Sequence, residues 1–134
     1  MAHDKEISLT PGTWGPDAER WISQALQTAT PDDIKYQVEH QGARLFYVQH
    51  QGSIKGAFVL RVDQHQDRAE GVIVAGAGNV PGVDLMAVCI PAIESIFVNC
   101  QSVRYHTAKP AVARKMHRLG YIAAEIISIK RIAP

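Results

Sequence analysis

The chain has 134 residues, of which 46% are hydrophobic and 20% charged, and a formal net charge of +1. That size and balance fit one compact domain over residues 1–134 with a real core. The near-zero charge gives no reason to expect nucleic-acid or anionic-membrane binding, and no unbroken apolar run is long enough to span a bilayer.

The N-terminal stretch MAHDKEISLTPG has no apolar core of the signal-peptide kind, so a cytoplasmic location is expected. Residues 1–12 are expected to be flexible. A first helix follows TPGTWGPD: Pro16 suits a first helical position, and Ala18, Trp21, Ile22, Ala25 and Leu26 recur on one apolar face. Trp21 is therefore expected in the core. Thr30, Pro31 and Asp33 read as a capping box opening a second helix, which Gln41-Gly42 closes.

ARLFYVQH and IKGAFVLRVD flank the turn-like QGS and predict an antiparallel hairpin. The polar QHQDRAE leads to a third strand, GVIVAGAG, whose unbroken Val72-Ile73-Val74 suits a strand covered on both faces. PGVDLMAVCIPAIESIFVNCQ predicts a long helix bent at Pro91, with Met86, Ile90, Ile93 and Phe97 on one side. SVRYHTA predicts a strand, KPAVARKMHRLG a basic helix capped by Gly120, and YIAAEIISIKRI a closing strand. This order implies an α+β, three-layer α/β/α fold. Its sheet is mixed and mostly antiparallel, with a parallel central pair made by the strand-helix-strand crossover. The apolar last strand at a sheet edge suggests a homodimer.

Cys89 and Cys100 are too far apart for a CxxC pair, and the six histidines show no HExxH spacing, so reduced thiols and no metal site are expected. The loop VIVAGAGNVPG follows a strand and opens a helix, a place where amides bind phosphate. It is not a Rossmann fingerprint: with Gly76 and Gly78 as its first two glycines, the third falls on Pro81. GxxxxGK[ST] is absent.

The hairpin QHQGSIKGAFVL, the strand and glycine loop before the long helix, and the terminal KMHRLGY together resemble the GNAT superfamily of acyl-CoA-dependent N-acetyltransferases. The likeness runs from about Val38 to Ile132. The LFYV and RLGY contexts are also similar to short acetyltransferase-like proteins of tailed phages. The resemblance implies an acetyl-CoA or related acyl-CoA co-substrate and an amine acceptor left unspecified. Val74, Ala75 and Gly76 would then face the pantetheine arm. Gly78, Asn79, Val80 and Gly82 would lie by the pyrophosphate, with Pro81 only shaping the loop.

The sequence departs from the family pattern [QR]xxGx[GA], reading AGNVPG over residues 77–82. Lys109 and Met116 stand where relatives carry Asn and a Tyr that protonates the leaving thiolate. His106, on the strand beside the expected cleft, is the candidate acid or base, set against a plain half-buried strand histidine. A regular strand would turn Tyr105 to the opposite face. Glu70 reads as a turn carboxylate and His117 as solvated. The rival reading is a GNAT-fold binding module, or a phage accessory protein, without the chemistry.

Overall fold

A computed structural model describes residues 6–26, 29–107, 109–123, 130 and 132. The elements are β1 (Ile7–Gly12), α1 (Pro16–Ser23), α2 (Pro31–His40), β2 (Arg44–His50), β3 (Ser53–Gln64), β4 (Ala69–Gly78), α3 (Leu85–Ile96), β5 (Ser102–Tyr105) and α4 (Pro110–Arg118). The sheet order is β1-β2-β3-β4-β5, antiparallel throughout except for the parallel pair β4 and β5.

Alternation along the strands sends apolar residues to both faces. Phe46, Val48, Phe58, Leu60 and Ile73 meet Cys89, Ile90, Ile93 and Phe97 of α3 and Met116 of α4. Leu45, Ala57, Val59 and Ala75 meet Ala18, Trp21 and Ile22 of α1 and Ile34 of α2. The expected three-layer, mostly antiparallel fold with one parallel strand pair is therefore present, that pair lying at one end of the described sheet. Burial raises the Cys89 thiol to about 11, which keeps it an inert packed residue. The Thr30 capping box is closed in both directions: Asp33 N donates to Thr30 Oγ1 at 3.3 Å, and Thr30 N to Asp33 Oδ2 at 2.9 Å.

Four expectations change. Part of the stretch expected to be flexible is strand β1, paired from Ile7↔His50 to Gly12↔Leu45. Pro11 is tolerated on this outer strand, and the missing Cβ of Gly12 leaves room for the Tyr47 ring. The long helix starts at Leu85 rather than Pro81, because Val80 to Val83 form a turn and Asp84 is the cap. It nevertheless runs through Pro91 to Ile96. β5 stops at Tyr105, so His106 and Thr107 are not strand residues. No strand is formed by Tyr121 to Ala123, and the rest of the expected closing strand lies outside the described residues apart from Lys130 and Ile132.

One end of the sheet carries a polar clasp. Arg61 donates from Nε and Nη2 to the two oxygens of Asp63 at 2.7 and 3.1 Å, and from Nη1 to Gln37 at 3.0 Å. Arg104 on β5 donates to Asp63 on β3 and to Glu70 on β4, each at 3.1 Å. These bonds tie β3, β4 and β5 together. They also give Glu70 a partner, in keeping with a structural carboxylate.

Candidate functional site

β4 and β5 pair over four steps, from Glu70↔Ser102 to Ile73↔Tyr105, and then part. β4 runs on to Gly78, while the chain beyond Tyr105 turns toward α4. Against β3, Val59 faces Ala75 and Leu60 faces Ile73, so Val74 is the extra residue of a β-bulge. A bulge bends its strand and increases its twist, and this one lies just past the last residue paired with β5. The sequence VIVAG shows why the strand continues but contains nothing that marks the bulge.

The gap between the parted strands is a cavity of about 300 Å³. Ile73 to Gly78 form one wall, Tyr105, His106 and Thr107 the other, and Phe58, Ile90 and Met116 the base. Of the residues expected at a cofactor, Val74, Ala75, Gly76 and Gly78 line this cleft, as does His106. Asn79, Val80 and Gly82 do not. Asn79 is exposed, Val80 is buried in the turn, and Gly82 has φ +77° with open space where a Cβ would point. Two of the glycines have packing reasons. A Cβ on Gly76 would enter the Phe58 ring, and one on Gly78 would stand 2.7 Å from Leu85 and 2.9 Å from the Lys55 carbonyl.

Tyr105 also lines the cleft, against the expectation from strand alternation. It packs on the α3/α4 side of the sheet and edge-on to Tyr121, ring centroids 5.6 Å apart. Burial raises its phenol above the ordinary tyrosine value. Tyr121 is raised further, first by burial and then by donating to Glu94 at 2.8 Å. Met116 lies in the same base, only 1% exposed. A tyrosine phenol thus faces the cleft from β5, and Met116 of α4, where the resemblance would place a tyrosine, carries a thioether. A tyrosine one residue before His106 was the only signal for it.

The turn into α3 fits an anion only in part. The Leu85 and Met86 amides precede the first intrahelical bond, and both residues line the cleft. The Asp84 carboxylate, however, stands at the same helix start: it accepts from Ala87 N at 3.4 Å and pairs with Lys115 at 3.5 Å. The cleft is of mixed polarity, and the Asp84 carboxylate at the start of α3 disfavours an anion there.

No protein-family model matches the sequence, and no curated protein does. Solved structures do match in shape. An aminoglycoside acetyltransferase from an uncultured soil metagenomic sample, in complex with sisomicin, superposes with a TM-score of 0.69 at 9% identity, covering 98% of each chain. The ribosomal-protein-alanine N-acetyltransferase of Brucella melitensis gives 0.65 at 12% identity, covering 93% of this chain and 97% of its own. An aminoglycoside N-acetyltransferase in complex with CoA gives 0.64 at 14%, covering 93% of both. With this strand order, crossover and parted parallel pair, the chain has the GNAT acetyltransferase fold.

Proposed function

We propose that the protein is an acyl-CoA-dependent N-acyltransferase whose acyl thioester lies between the parted ends of β4 and β5. The observation that carries this reading is the cleft itself. It is a slot along β4 beyond Ile73, where β5 no longer takes up the strand's outward amides. An amide on that edge polarises the thioester carbonyl. His106 takes a proton from the acceptor amine. The nitrogen–carbon bond forms, the carbon–sulfur bond breaks, and Tyr105 gives its proton to the departing thiolate. The assignment of Tyr105 rests on its position in the cleft, beside His106 and at the parting of the strands.

Val74 to Gly76 hold the pantetheine arm in this reading. Gly78, Asn79, Val80 and Gly82 border the phosphates, with the Leu85 and Met86 amides. A matched pair of variants tests the placement. Gly42 and Gly82 have φ values of +78° and +77° with open space around both. Glutamate at either site therefore carries the same backbone strain, about 1–2 kcal/mol. Only Gly82→Glu adds a negative charge beside the proposed phosphates. The CoA-dependent rise in melting temperature is expected to persist in Gly42→Glu and to vanish in Gly82→Glu. Equal shifts in both variants overturn the placement.

A further inference from the structure

The cleft is lined by residues from both faces of the sheet. On the α3/α4 face lie Tyr105 and Met116. On the α1 face lie Gln24 and Ala25, in the turn that ends α1. Lys109, the residue before α4, reaches to that side and donates from Nζ to the Gln24 carbonyl at 3.1 Å. It joins parts of the chain 85 residues apart. An ammonium has three protons. The carbonyl accepts one, which places the group beside Gln24, and both residues line the cleft.

The described charges around this cleft are one-sided. Among the described residues, no Asp or Glu lines the cleft, and its ionisable side chains are Tyr105, His106 and Lys109. The carboxylates of α3 and its cap are committed elsewhere, Asp84 to Lys115 and Glu94 to Tyr121. A polycationic amine entering here meets a lysine and, among the described residues lining the cleft, no counter-charge for it, which is unfavourable. An amine that carries its own carboxylate meets the Lys109 ammonium. Its attacking nitrogen must be neutral in any case, so the site gains nothing by recognising a cation and gains an ion pair by recognising the anion.

We infer that the acceptor is a small amine bearing a carboxylate, of the amino-acid class, and that Lys109 selects it by holding that carboxylate. This rests on the acyltransferase reading.

The test follows thiol release from acetyl-CoA with each of the twenty amino acids and, separately, with spermidine. Wild-type protein is expected to turn over at least one amino acid in preference to spermidine. Lys109→Met should raise the KM for that amino acid about 10- to 100-fold, as expected for loss of a charged hydrogen bond. The loss should fall on KM rather than kcat, and the CoA-dependent melting shift should remain. Lys109→Glu should move the preference to spermidine. A wild-type preference for spermidine overturns the inference. So does an unchanged KM in Lys109→Met, or CoA binding without turnover of any amino acid. Absence of CoA binding is a different failure: it removes the acyltransferase reading and this inference with it.

Discussion

The two ends of the β4–β5 pair are built from the same strands for opposite purposes. From Glu70 to Ile73 the strands are hydrogen-bonded, and the Arg61-Asp63-Arg104-Glu70 clasp crosses them. From Val74 onward the pairing is gone, and the walls are small, apolar or glycine on one side and Tyr105 and His106 on the other. The change falls at one bulged residue, Val74. The contrast shows how a small sheet holds an opening without losing cohesion. The closed end keeps the strands together, so the other end can stay parted.

The contrast can be broken from either side. The largest effect is expected at the boundary pair. Tyr105→Phe removes the proposed proton donor while leaving the ring, so acyl transfer should fall about 10²- to 10⁴-fold. The melting temperature should stay near wild type. A variant that retains wild-type turnover removes Tyr105 from the mechanism.

Next comes the base of the cleft, which is also core. Met116→Ala should cost about 2–5 kcal/mol in urea unfolding, since the side chain is almost fully buried, whereas Met116→Leu should cost under about 1.5 kcal/mol. If the alanine variant costs no more than the leucine, the base of the cleft is not the packed surface described.

The clasp should matter less, because its groups are partly in water. Asp63→Asn removes the charge that Arg61 and Arg104 share and turns one of its two acceptor oxygens into an NH2 donor, and about 1–2 kcal/mol of stability should go. Hydrogen bonding from Arg61, with the charges of Arg61 and Arg104 and against a smaller desolvation effect, holds the Asp63 carboxyl below its usual value. The native state thus favours the ionised form. That stabilisation is complete above the unfolded aspartate value of about 3.9 and is lost as pH falls through the lower native value. Unfolding titrated from pH 6 downward should show this acid loss in wild type and a smaller one in Asp63→Asn.

The smallest effect concerns the rim. Asparagine caps a helix as well as aspartate. Asp84→Asn should keep α3 and remove a negative charge beside the proposed phosphates. CoA affinity should rise about 2- to 5-fold at low salt, the size of one charge at a helix end. Unchanged affinity places the phosphates elsewhere.

Much of the fold was legible because its signals are local. The Thr30-Asp33 box, the QGS turn and the β4-α3-β5 crossover each lie within a short stretch, and all are present. What was hidden depends on partners distant in sequence. Ile7 to Gly12 is a strand because β2 offers a pairing edge, and neither Pro11 nor Gly12 announces it. The glycines of the loop suggested a phosphate, but Gly76 and Gly78 are explained by Phe58 and Leu85. His106 was placed beside the cleft from the sequence. Tyr105 was turned the wrong way because the alternation rule assumes a strand that continues, and β5 ends there. The Lys109-Gln24 contact closes a span that no motif records.

The most direct test of the central claim is backbone amide hydrogen exchange with and without CoA, read over β4. Amides of β4 that face β3 are already protected by the ladder, so any change must come from those facing the gap. CoA is expected to slow exchange within Val74 to Gly78 and to leave Glu70 to Ile73 unchanged. Slowing confined to the clasped end, or no change anywhere in β4 at saturating CoA, would contradict the assignment of the parted strands as the acyl-donor site.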